Sequence, residues 1–263
     1  MHSLRLACVL ALTFLPLTPA CAQWEIAGGA GLQHTNLTEY APDGRELVRE
    51  HGWMPGILLH AGHTRGAWRF GLGASSFRRA IAYDGSLQNG VPFATDTDAV
   101  QERLGADVVY RLSETALLIG GLEREYRLRK IQGRGAVSGL DERSVSWRLL
   151  AGGQMRLVRS ATATVDAQAS LVLAQAERLR VRFERRLFDD TALSTKPAVG
   201  LRAAVTLVPT AAPRLSAVFE FDWMKVRRSD DAALRKNGLV EGSVAQPEHR
   251  RRSLAAYLAY RFD

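Results

Sequence analysis

Cysteine is nearly absent from this chain of 263 residues. Cys8 and Cys21 are the only two, and both fall in the first 22 residues. If that stretch is removed, the remainder can form no disulfide, no thiolate metal site and no cysteine nucleophile. Long apolar runs are lacking as well. No later segment approaches the roughly 18 uninterrupted apolar residues of a membrane helix. Lysine is scarce: Lys130, Lys196, Lys225 and Lys236 are all there are, and the other basic residues are arginines. There is no Gly-x-Ser-x-Gly and no His-x-Ser, so the common serine-hydrolase signatures are missing. Gly28, Gly29 and Gly31 make no nucleotide loop, since no helix pattern follows them.

What is present begins with an export leader. Arg5 supplies a positive start, Leu6 to Pro16 a short apolar core, and Ala20-Cys21-Ala22 a small-x-small cleavage site. Cleavage there leaves Gln23 as the mature start. The core is too short and too interrupted by proline for a membrane anchor. Acylation of Cys21 is an alternative, against which Thr18 stands where an aliphatic residue is usual. The domain division is therefore a signal peptide, 1–22, and a single domain, 23–263. Formal charge is +8, or +7 without Arg5. A basic balance raises nucleic acid as a partner, but no aromatic-basic patch or recognition-helix pattern supports it, and export argues against it.

After the leader, strand-like segments follow one another near 24–36, 52–63, 68–83, 98–112, 116–131, 144–158, 163–183, 195–208, 214–228 and 249–263. Tight turns alternate with long polar loops. An even strand count puts both ends on the side of the tight turns. The chain ends in an alternating segment, Leu254 to Asp263, with Phe262 next to last and Tyr260 on the same face. These features resemble the bacterial outer-membrane β-barrels. The fold class expected is all-β: an antiparallel transmembrane β-barrel of about ten strands, with short periplasmic turns and longer extracellular loops. The resemblance implies a location in the bacterial outer membrane. It also implies outer-membrane lipid, lipopolysaccharide and the barrel assembly machinery as partners, with Tyr260 and Phe262 marking the assembly strand.

Alternation assigns the two faces. Leu215, Ala217, Phe219, Phe221 and Trp223 share one face of their segment, and Glu220 and Asp222 share the other. Apolar residues outward and polar residues inward is how a closed sheet meets lipid. The inward face then gathers a charge network: Asp107, Glu123, Glu125, Glu220 and Asp222 against Arg127, Arg148, Arg156, Arg178, Arg180 and Arg202. Either the basic excess lines an anion-favouring pore, or the charges neutralise one another in a plug. The narrowness of ten strands favours the plug. Three positions fit poorly. Arg124 falls on the lipid face, and Gln175 and Glu177 point outward on a hairpin placed above the membrane.

No catalytic residue, metal or cofactor is expected. The weak rim candidates are His34, His51 and His249 with Asp230 and Asp231, all at the extracellular end. Asp189-Asp190 and Asp230-Asp231 invite comparison with the paired aspartates of the omptins, but no flanking residues match. The function expected is a non-enzymatic barrel: a narrow, porin-like channel, or a structural or accessory envelope protein, with a link to surface-polymer export. The alternatives are a surface hydrolase (an omptin-like protease or a lipid-modifying enzyme) and an adhesin.

Overall fold

Alternation of apolar and polar residues gives each segment one face for lipid and one for an interior, and the backbone follows it. The computed structural model describes residues 24–86 and 91–262. The expected leader, with both cysteines, lies outside the described residues. The strands are β1 (Trp24–Tyr40), β2 (Glu46–Arg65), β3 (Trp68–Ser86), β4 (Pro92–Arg111), β5 (Ala116–Ile131), β6 (Leu140–Arg159) and β7 (Ala163–Ala174). They continue with β8 (Arg178–Phe183), β9 (Thr191–Ser194), β10 (Ala198–Pro209), β11 (Leu215–Val226), β12 (Ala232–Lys236), β13 (Leu239–Val244) and β14 (Glu248–Phe262). Ten of them close a ring of antiparallel neighbours in the order β1-β2-β3-β4-β5-β6-β7-β10-β11-β14, and β14 returns to β1. Closure leaves no unpaired backbone edge, which a bilayer requires.

Several strands outrun the expected boundaries. β2, β4 and β6 each have 20 residues, whereas about 9–11 tilted residues cross a bilayer. Exposed aromatic residues mark where the crossing lies. Trp24, Trp68, Tyr110 and Phe262 ring the end that carries the tight turns, and Trp53 and Trp147 stand on the outer face higher up. Between them the outer face is Leu-rich, with Leu59, Leu72, Leu104, Leu122, Leu149, Leu201 and Leu258 all about half exposed or more. Such girdles flank the apolar band of transmembrane barrels. Above the upper girdle the strands project into water.

At the seam between β1 and β14 a small residue is needed. A Cβ on Gly31 would come within 2.3 Å of the Ala256 carbonyl oxygen. That close approach of the two strands is possible only because glycine has none.

The seventh and eighth expected strands are each broken in two. Ala174 opposes Arg148, but Arg178 opposes Val145, so three residues of one strand face two of the other. That is a β-bulge at Gln175 to Glu177. A bulge of one residue exchanges the faces of everything beyond it. Leu179 and Val181 therefore turn inward and, with Leu193, form a small apolar core under Phe183, Ala232 and Val244. Outside the membrane the logic of a soluble protein returns, with apolar groups inside and charges outside. β12 and β13 form a hairpin in what the sequence presents as a loop. Asn237 and Gly238 take φ of 51° and 81°, the pair of positive values that a tight two-residue hairpin turn requires.

Candidate functional site

Inside the barrel the described charges interlock. Arg202 on β10 reaches Glu123 at 2.9 Å on β5 and Asp222 at 2.9 Å on β11. Arg103 on β4 meets Glu220 on β11 at 2.8 Å. Arg148 on β6 is 1 % exposed and bonds Glu125 on β5, with Glu123 at 3.5 Å and Asp222 at 3.8 Å. Arg251 on β14 contacts Glu125 at 3.0 Å and Glu177 at 2.9 Å. β4 and β11 lie five strands apart around the ring of ten, and so do β5 and β14. The Arg103–Glu220 and Arg251–Glu125 contacts are thus spokes across the full diameter. A shorter chord joins β1 to β4, three strands away, where Gln33 donates to Gln101 at 2.8 Å.

Above this layer Arg129 is ringed by carboxylates: Glu50 at 2.9 Å, Glu39 at 2.8 Å and Glu142 at 2.5 Å. Thr97 donates to Glu50 at 2.7 Å, and Gln246 to Glu39 at 3.1 Å. Two cavities beside Arg127 leave about 10 Å³ each, room for roughly one water molecule. Below the layer the lumen is more open. The His60–Asp107 pair, 3.5 Å apart, keeps more than a quarter of each side chain in water. It fits because Gly71 has no Cβ, which would stand 2.4 Å from the Asp107 carboxylate. Arg156 and Asp166 pair at 3.2 Å near the tight turns.

The sequence reading of this interior needs several corrections. Arg178 and Arg180 are exposed on the outer face, because the bulge exchanged the faces. For the same reason Glu177 lies inside and is buried. Arg156 and Asp107 face the lumen but stand apart from the braced layer. Glu220 lies 4.0 Å from Arg202 and closer to Arg103. Asp222 is the nearer acid, directly opposite Arg202 in register. The expected basic excess disappears. The braced layer sets Arg103, Arg148, Arg202 and Arg251 against Glu123, Glu125, Glu177, Glu220 and Asp222, with Arg127 lining the cavities just above. The mouth above it holds Glu39, Glu50 and Glu142 against Arg129 alone. Glu39, Glu50 and Glu142 escaped notice because β1 ends later, and β2 and β6 begin earlier, than the alternation suggests. Extending the inward parity of β1, β2 and β6 toward the loops would have found them.

The rim candidates do not assemble. His34 faces outward against Trp53, with ring centroids 5.1 Å apart. His51 stands 3.9 Å from Asp84. His249 turns inward and is buried, 3.5 Å from Glu177 and 3.2 Å from the Pro247 carbonyl oxygen. Asp230 pairs with Lys196 at 2.5 Å, and Asp231 with Arg228 at 2.6 Å. Asp190 lies 3.4 Å from Arg182. The Asp189 carboxylate accepts the backbone N–H groups of Asn237 and Gly238 at 3.2 and 2.8 Å, fastening the β12–β13 hairpin. Among the described residues no group of three or more His, Asp or Glu is arranged to hold a metal. Tyr260 and Phe262 lie side by side on the lipid face, with ring centroids 5.2 Å apart.

No protein-family model matches the sequence, and no curated protein matches it either. Solved structures do. The outer membrane protease OmpT of Escherichia coli superimposes with a TM-score of 0.56 at 11 % identity, over 95 % of this chain and 99 % of that one. The translocator domain of the autotransporter NalP of Neisseria meningitidis gives 0.51 at 10 % identity, over 91 % and 88 %. The fold is that of an outer-membrane β-barrel. At such identities the likeness carries architecture and no activity.

Within this barrel the mouth has a titration of its own. Glu142 lies five residues beyond Trp147 on β6, clear of the membrane band. Burial lifts its pKa to about 7; Arg129 opposes the rise, and Glu39 and Glu50 add to it. A carboxyl with a folded pKa above its unfolded one stabilises the fold through its protonated form. That stability is fully present below about pH 4.5 and is lost as pH rises through about 7. The barrel is therefore expected to melt at a lower temperature at pH 8 than at pH 5. In Glu142→Gln most of that difference should vanish, an effect of roughly 1–3 kcal/mol. Equal pH slopes in the two proteins would show that Glu142 is charged throughout.

Proposed function

We propose that this protein is a non-enzymatic, plugged barrel of the bacterial outer membrane, a structural or accessory envelope protein and not a pore. The observation that carries the reading is the pair of charged spokes, Arg103–Glu220 and Arg251–Glu125, which cross the whole lumen. Each guanidinium is held by more than one carboxylate, so moving one side chain aside would strand several charges at once. The barrel then acts as a rigid stem, and its projecting strands are the part other molecules meet. A porin-like channel finds no support in cavities that hold about one water each. A surface hydrolase finds none in rim groups that face different ways. The adhesin reading keeps one supporting feature, the β12–β13 hairpin, whose Leu239 and Val240 are 71 % and 60 % exposed.

Solute flux tests the proposal. Proteoliposomes carrying the refolded barrel should swell in an isosmotic small sugar no faster than protein-free vesicles. Swelling that rises with the amount of barrel would mean an open lumen.

A further inference from the structure

The bulge in the seventh strand has a consequence on the outside of the barrel. By register, the outward residues of β5, β6 and β8 form rows. Leu122 and Leu149 stand side by side in the lipid band. Arg124 and Trp147 lie above them, then Tyr126, Val145 and Arg178, then Leu128, Arg143 and Arg180. Arg124, Arg143, Arg178 and Arg180 are all exposed. Arg143 and Arg180 are direct cross-strand partners, where like charges oppose folding. Among the described residues none of the four has a carboxylate within ion-pairing distance, whereas Arg182 one row higher has Asp190. Arg178 stands two residues above the Trp147 girdle, about 7 Å at the rise of a strand, which is the depth of the headgroup layer. Guanidinium groups grip phosphate through paired N–H donors. The Leu122 and Leu149 row beneath offers acyl chains a surface.

We infer that the outward cluster of Arg124, Arg143, Arg178 and Arg180 binds the phosphate-bearing headgroup of an outer-leaflet lipid, whose chains lie along the leucine row below. The inference rests on the membrane-embedded reading. It gives a reason for Arg124, which has no place on a lipid-facing strand unless something anionic meets it. It also explains how two like charges can stay opposed at Arg143 and Arg180.

The test uses the whole folded barrel in a neutral detergent, with lipid binding read by native mass spectrometry. The probes are phosphatidic acid and phosphatidylcholine with the same chains, and inorganic phosphate as a competitor. Phosphatidic acid should bind in preference to phosphatidylcholine. In Arg178→Gln, Arg180→Gln that preference should fall about twenty-five-fold, at roughly fivefold per guanidinium lost. Arg178→Lys, Arg180→Lys should keep part of it, and Arg45→Gln in a distant turn all of it. An unchanged preference in the glutamine variant overturns the site. Displacement of phosphatidic acid by an equal concentration of inorganic phosphate overturns the lipid as its ligand. A barrel that is closed to solutes yet shows no headgroup preference would remove this inference and leave the plugged stem standing.

Discussion

Arg148→Ala is expected to lower the stability of the folded barrel by about 3–5 kcal/mol, the usual cost of stranding a partner in a buried ion pair. Arg148 is almost fully enclosed and sits among Glu125, Glu123 and Asp222. Its removal brings three carboxylates together with less positive charge to hold them. Glu125→Ala should cost a similar amount, since it would leave Arg148 and Arg251 facing each other across the lumen. The double variant should cost less than the two single effects added, because each substitution removes the charge the other one strands. Equilibrium unfolding of the four proteins in one detergent measures the coupling. Additive effects, or single losses below about 1 kcal/mol as at hydrated surface pairs, would mean that water fills the lumen.

Loss of the terminal aromatic pair should have the largest effect in the cell. Tyr260→Ala with Phe262→Ala is expected to reduce the assembled protein in the outer membrane about tenfold or more and to leave export into the periplasm unchanged. Both rings lie on the lipid face at the tight-turn end, where aromatic girdles anchor a barrel. They also belong to the strand that pairs with β1 to close the ring. Fractionation and quantitation of the periplasmic and membrane pools read the outcome. Normal membrane levels of the double variant would show that closure and insertion do not depend on this pair.

The ring of ten was legible because lipid imposes one rule over the whole band: every second residue is apolar. Phe219, Phe221 and Leu254, Leu258 announce it plainly. Above the girdle the rule reverses, and the sequence carries no mark of the place. Leu171, Leu173, Leu179 and Val181 sit at odd positions throughout, yet the first two face lipid and the last two a small internal core. The bulge that reverses them at Gln175 to Glu177 is an event of strand pairing, invisible to a period-two pattern. Arg178, Arg180 and Glu177 were misplaced for that reason alone. The β12–β13 hairpin had a local signal, Asn237-Gly238 between Leu234 and Val240, of the kind that specifies a tight turn. The partner choices inside the lumen had none. That Arg103 reaches Glu220 and Arg251 reaches Glu125 depends on how long arginine side chains cross a space whose shape only the closed ring defines.

Single-channel recording of the wild-type barrel in a planar bilayer is the most direct measurement of whether the spokes close the lumen. Insertion can be verified on the same preparation by the shift in gel mobility between unboiled and boiled samples. Inserted barrels should carry no steady current at either polarity in molar salt. Uniform, ohmic current steps that appear with each insertion would contradict the plugged barrel.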